Sequence, residues 1–169
     1  ADIRTSRNVR SSAFLRILGL PAEHTDTVTD FYLETYPQTA APIDGAVQVV
    51  SACVDRLPTG VVSNSYPDVQ YGKLQTLGLR HHFRCIVLSE EYGGPRKPAP
   101  EIFRKGCELL GSQPAETLYV GDSFDKDVIG ARGAGLIPCW YNPDQLPTPE
   151  GQAAADVQLR KLEDLLELI

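Results

Sequence analysis

Residues 118–136 read Leu-Tyr-Val-Gly-Asp-Ser-Phe-Asp-Lys-Asp-Val-Ile-Gly-Ala-Arg-Gly-Ala-Gly-Leu. Leu118-Tyr119-Val120 is a short uninterrupted apolar run, the pattern of a buried parallel strand, and Gly121 lets the chain turn sharply where the strand ends. Asp122 is left at the strand's C-terminal tip. Ser123 or Asp125 can then cap a helix whose Ile129, Ala131, Ala134 and Gly135 form a small, close-packing surface. In open α/β sheets this edge is where ligands bind. Asp122 and Asp127 are therefore candidates for a metal and phosphate site, although acids here also complement a helix dipole.

Working outward, helical and strand-like segments alternate from residue 44 to the end, the sequence form of a parallel α/β sheet. Asp44 is a candidate cap for a helix carrying Val49, Val50 and Cys53, and Pro58 breaks it before a strand over residues 59–64. Pro67 and Asp68 open the next helix, Gly78 stops it, and residues 85–88 form the following strand. A polar loop over residues 93–98 leads to a helix over 101–110, with Pro100 at its first position and Gly111 at its end. After the acidic turn come a strand over 136–141, a Pro-rich loop, a short strand at Val157 and a terminal helix with Leu162, Leu165, Leu166 and Ile169.

Residues 1–43 differ in kind. Two amphipathic helices, about 4–18 and 22–36, flank Gly19-Leu20-Pro21 with no strand between them, which predicts a small helical lid. Arg4, Arg7 and Arg10 recur every three residues, either as a basic stripe over an anionic ligand or as a solvated helix face. The 169-residue chain carries 22 acidic and 16 basic residues, a net charge of −6, which argues against nucleic acid as a partner. Neither a membrane span nor a signal peptide is legible, so the expected location is cytoplasmic. Cys53, Cys85, Cys107 and Cys139 are widely separated and read as reduced core residues. His24, His81 and His82 lack metal-ligand spacing.

Three polar features each follow an expected parallel strand: Ser63-Asn64, Lys97, and Asp122 with Asp127. Such positions converge at one edge of a parallel sheet. A hydroxyl and backbone amides can bind phosphate oxygens, an ammonium can offset transition-state charge, and carboxylates can hold Mg²⁺.

Val-Val-Ser-Asn-Ser (61–65), Arg-Lys-Pro-Ala-Pro-Glu-Ile-Phe (96–103) and Val-Gly-Asp-Ser (120–123) with Asp127, in that order, resemble the second, third and fourth motifs of the haloacid dehalogenase superfamily. The resemblance implies a Rossmann-like open parallel core over residues 44–169 and a partial α-helical cap over 1–43. It implies that Ser63 hydrogen-bonds a transferring phosphoryl group, that Asn64 adds backbone contact, and that Lys97 stabilises nucleophile and transition state. Asp122 would ligate Mg²⁺ directly, with Asp127 supporting the metal. The acid pair favours the Mg²⁺-dependent phosphatase branch, acting on a small phosphorylated metabolite, over the metal-free dehalogenases.

The family's first motif, a strand ending in Asp-x-Asp whose first aspartate is the nucleophile, is absent. Upstream of Ser63 the aspartates are Asp2, Asp26, Asp30, Asp44 and Asp55, and none is followed two residues later by another. That strand belongs at the sheet centre, so its loss is expected to expose two strand edges. Two expectations follow: a C-terminal portion of a phosphatase whose nucleophile lies upstream of residue 1, or a truncated non-catalytic binding or regulatory module. In the latter, a partner chain completes the sheet.

Overall fold

A computed structural model describes residues 3–169; Asp2 lies outside them. Helix α1 (Ile3–Ile17) leads through a 3-10 turn (Ala22–His24) into α2 (Thr25–Thr35) and a second such turn (Tyr36–Thr39). The alternating part follows as α3 (Ala46–Arg56), β1 (Gly60–Ser63), α4 (Pro67–Thr76), β2 (Cys85–Leu88), α5 (Pro100–Leu110), β3 (Leu118–Gly121), α6 (Ile129–Ala134), β4 (Ile137–Tyr141) and β5 (Val157–Leu159). All strand pairs are parallel, as the alternation of strand and helix requires.

The strands form two sheets. β1 pairs with β2, while β3, β4 and β5 form a second sheet in that order. No ladder joins β1 to β3, so each presents a free edge. Arg84 N donates to Thr59 O at 2.8 Å and Ser89 N to Ser63 O at 3.0 Å. Peptide groups alternate sides along a strand, so those of Gly60 and Val62 face away from β2. Likewise Ile137 N donates to Thr117 O at 3.0 Å, which turns Leu118 and Val120 away from β4.

Between the two edges lies a cavity of about 750 Å³, bounded by Val62, Val120, Val49 and Cys53 of α3, and Phe103 and Cys107 of α5. Protein interiors pack with few voids larger than a water molecule. A gap of this size is an architectural feature. One core cluster packs α5 and α6 on β2, with Ile102, Phe103, Cys107, Ala131 and Ala134 around Val87. A second places α3 and the C-terminal turn on the other sheet, through Val49, Cys139, Leu159 and Leu165.

Several local expectations change. Asp44 does not cap α3; the cap position is Gly45 at φ +74°, where Asp44 itself has no place and glycine carries no Cβ penalty. The terminal segment Leu162–Glu167 is a 3-10 helix, too short for its apolar residues to need a full α-helical stripe. The helix after the acidic turn begins with a π-helical turn, Phe124–Val128. Arg7 is not on a solvated face: it is 5% exposed, 3.2 Å from Asp68 and stacked on the Tyr66 ring at 4.4 Å. Arg4 instead pairs with Asp30 at 2.8 Å across α1 and α2. The four cysteines are free thiols, buried at Cys107 and Cys139 and half-buried at Cys53 and Cys85.

Candidate active site

β1 ends at Ser63, and the next residue braces the site. The Asn64 side chain donates through Nδ2 to Lys97 O at 2.9 Å and accepts at Oδ1 from Lys97 N at 2.7 Å. An amide side chain is suited to this, since it holds one donor and one acceptor side by side. The loop after β2 is thereby fixed to the end of β1, and Lys97 is aimed across the gap. Its ammonium donates to Asp127 Oδ1 at 2.6 Å and to Tyr119 Oη at 3.0 Å. The pair is well enclosed, with side-chain exposures of 14% for Lys97 and 4% for Asp127. Charges so buried persist only when paired and hydrogen-bonded.

The π-turn explains how Asp127 reaches Lys97. Asp127 N donates to Ser123 O at 2.7 Å, and its carboxylate Oδ2 accepts from Ser123 N at 3.0 Å. These two bonds fold the carboxylate back beneath the strand end, at the start of a segment whose π-type bond runs from Ile129 N to Phe124 O. Gly121 makes room: a Cβ there would overlap the Asp127 side chain. Phe124 packs edge-on against Trp140, ring centres 4.9 Å apart, and Trp140 Nε1 donates to Asp122 O at 3.0 Å. Asp122 is consequently held by its backbone while its side chain is exposed. Ser63 is half-buried as the last residue of β1.

Tyr119 is the residue that sequence reasoning missed, being simply one member of an apolar strand. Its ring is held edge-on by Phe103, centres 4.7 Å apart, and its hydroxyl sits 3.2 Å from Val62 O and 3.4 Å from Asp127 Oδ1. Burial first, and then the neighbouring Asp127, push this phenol well above its ordinary value of 10.0, so it stays neutral. Among the described residues it is the direct hydrogen bond between β1 and β3, made by a side chain where a ladder would otherwise run.

Because Lys97 joins the residue after β1 to the π-turn after β3, both strands point the same way and their C-terminal ends share one site. Lys97, Asn64, Asp127 and Tyr119 are directly connected; Asp122 and Ser63 lie at the same edge, one residue past β3 and at the end of β1. Both Asp127 oxygens already accept hydrogen bonds, which leaves Asp122 as the free carboxylate of the pair. Among the described residues, no group of three or more His, Cys, Asp or Glu side chains is gathered to hold a metal ion. The donor set present suits one hard-cation contact, and a complete Mg²⁺ centre needs further oxygens.

A family model for haloacid dehalogenase-like hydrolases matches residues 4–135. The chain belongs to this family. It is 32% identical over 142 residues to the pyrimidine 5'-nucleotidase YjjG of Escherichia coli, covering 82% of this chain and 63% of that protein. To the glyceraldehyde 3-phosphate phosphatase of Methanopyrus kandleri it is 44% identical over 78 residues, 46% of this chain and 33% of that one. Thus the chain spans less than two thirds of either relative. The magnesium-bound structure of the HAD-hydrolase YfnB from Bacillus subtilis superposes with a TM-score of 0.81 at 31% identity, covering 99% of this chain and 73% of that one. The family shown includes phosphatases and nucleotidases, in agreement with the general hydrolase reading. No helix among the described residues is long and apolar enough to cross a membrane.

Proposed function

We propose that these residues form the phosphoryl-binding half of a Mg²⁺-dependent phosphatase acting on a small phosphomonoester, with the nucleophilic aspartate carried on a segment outside residues 1–169. The observation that carries this reading is the Lys97 ammonium, held 2.6 Å from Asp127 and locked by Asn64 at the C-terminal ends of β1 and β3. A fixed cation at a sheet edge can neutralise phosphoryl oxygens without reorganising when charge develops. Ser63, the last residue of β1, would donate its hydroxyl to a phosphoryl oxygen. Asn64 keeps Lys97 at its post, and Asp127 keeps the ammonium aimed. Asp122 would hold Mg²⁺ by its free carboxylate; the metal, when bound, offsets negative charge on phosphate and nucleophile. The magnesium-bound relative and the phosphatase and nucleotidase relatives support the choice of cation and reaction.

In this reading Asp122 serves the metal and Asp127 holds Lys97, and substitution at phosphorus needs a separate nucleophile aligned opposite the leaving group. Residues 1–169 alone are therefore expected to bind phosphate and not turn it over. The test is p-nitrophenyl phosphate hydrolysis by a polypeptide in which an apolar strand ending in Asp-x-Asp precedes residue 1. Turnover there, lost by a factor of about 10² or more in Lys97→Ala and with Mg²⁺ activation lost in Asp122→Asn, supports the reading. Unchanged rates in both variants would overturn it.

A further inference from the structure

Residues 63–68 carry the chain from the end of β1 into α4, and they are held from two sides. On the sheet side, Asn64 clamps Lys97, and the Arg96 guanidinium donates to Asn64 O at 3.4 Å. On the helical side the hold comes from Arg7 of α1. Its Nη2 donates to Asp68 Oδ1 at 3.2 Å, and its guanidinium lies 4.4 Å from the ring centre of Tyr66 and 5.5 Å from that of Tyr32 on α2. Asp68 Oδ1 also accepts from Val69 N at 2.7 Å, so the carboxylate that receives Arg7 is itself fixed to the first turn of α4.

The seam continues beyond Arg7. Tyr32 stacks on Tyr36 with ring centres 4.9 Å apart, and the Lys73 ammonium of α4 donates to Tyr36 Oη at 3.0 Å. The helical layer is thus moored to α4 from Asp68 to Lys73, and Arg7 is the mooring nearest the end of β1. Stability alone explains this arginine poorly. It is 5% exposed, and among the described residues its Nε has no hydrogen-bond partner. A buried cation with an unused donor is a weak stabiliser, and a well-packed apolar pair in place of a buried ion pair is often at least as stable. An apolar residue cannot, however, hold a carboxylate and a tyrosine ring in one fixed relation. The planar guanidinium does both, bonding in its plane and stacking on its face.

We propose that Arg7 is a positioning residue for Ser63: from the helical layer it fixes Tyr66 and Asp68, and so sets the turn that carries the Ser63 hydroxyl and the Asn64 clamp. Arg7 itself touches no reacting atom and acts through the turn. The role of Ser63 toward phosphate rests on the phosphatase reading, whereas the hold of Arg7 on the turn rests on the contacts of Arg7 alone.

The test compares residues 1–169 with Arg7→Met and with the double variant Arg7→Met/Asp68→Asn, which exchanges the ion pair for an uncharged one and keeps an oxygen for Val69 N. Thermal unfolding reports the structural contribution. NMR relaxation dispersion reports motion of the Asn64, Ser65 and Tyr66 amides, and titration with inorganic phosphate in Mg²⁺, followed at the Ser63 amide, reports binding. The double variant is expected to unfold within about 3 °C of the unsubstituted chain. Its amides at 64–66 are nevertheless expected to show exchange broadening on the μs–ms timescale, and its phosphate affinity to fall at least about fivefold, with the Cys139 amide unchanged. Amides at 64–66 as rigid in the double variant as in the unsubstituted chain would overturn the proposal. A loss of phosphate affinity no larger than the loss of folded protein would also overturn it, since a merely structural residue behaves in that way. Arg7→Lys keeps the charge without the planar fork and is expected to leave the turn as mobile as Arg7→Met does; full rescue by lysine would overturn the proposal too. If the unsubstituted chain binds no phosphate while its turn is rigid and becomes mobile in the variants, the phosphatase reading fails and the hold of Arg7 on the turn stands.

Discussion

β4 and β3 are neighbours of nearly equal apolar content, yet their surroundings differ. β4 has a partner on each side, and Pro138, Cys139 and Trp140 at its centre are buried. β3 has one partner, and all four of its residues are only half-buried, as are all four of β1. A strand of Leu-Tyr-Val-Gly composition is written for burial on both faces and both edges. What β1 and β3 have in common is an edge with no ladder to the other, and the difference locates the gap between the two sheets, at whose end the polar site opens.

The largest expected effect lies at the junction of the two sheets. Lys97→Ala leaves the buried Asp127 carboxylate without its cation, and breaking such a pair costs about 3 kcal/mol. Urea unfolding should show this as a lower midpoint at constant slope. A loss below about 1 kcal/mol would mean that the gap admits enough water to screen the pair. Next comes a matched pair of truncations. Val87→Ala, at a site with 0% exposure, is expected to cost about 2 kcal/mol, and Val120→Ala at the open wall less than half of that. Equal losses would erase the contrast between closed and open core.

The topology was legible in residues 44–169 because strand and helix periodicities alternate and because Pro67, Pro100, Gly78 and Gly111 punctuate them locally. That Lys97, Asp122 and Asp127 gather at one sheet edge was legible because residues at parallel strand ends converge. Their partners were not. That Asp127 would spend both oxygens on Lys97 and Ser123 depends on a π-turn, which leaves no sequence signature among Phe124–Val128. That Arg7 would be buried between Tyr66 and Asp68 depends on how α1 meets the start of α4, a long-range contact that helical spacing does not encode.

A smaller effect concerns pH. The Tyr119 phenol is raised in the folded state, so native protein holds its proton more tightly than unfolded chain does. Its contribution is fully present below the unfolded value near 10 and is lost as pH rises through the folded value. Tyr119→Phe should cost about 1 kcal/mol at pH 7 through the hydrogen bonds to Val62 and Asp127, and should flatten the stability decline above pH 10. An unchanged alkaline slope would place the titration elsewhere. Smallest is thiol reactivity: Cys53 and Cys85, half-buried, should react with a disulfide reagent before Cys107 and Cys139. Burial pushes the Cys53, Cys85 and Cys139 thiols all upward, Cys139 to about 11, so the expected order rests on access to the sulfur. Simultaneous modification of all four would indicate global rather than local opening.

The most direct measurement is amide hydrogen exchange on residues 1–169 without any added segment, compared between Val62, Val120 and Cys139. Val62 and Val120 turn their N–H groups into the open cleft, whereas Cys139 lies between two ladders. The expected result is exchange at Val62 and Val120 at least about 100-fold faster than at Cys139, whose opening requires global unfolding. Protection of all three to the same degree would contradict an open central edge, and with it the claim that a further strand completes this hydrolase core.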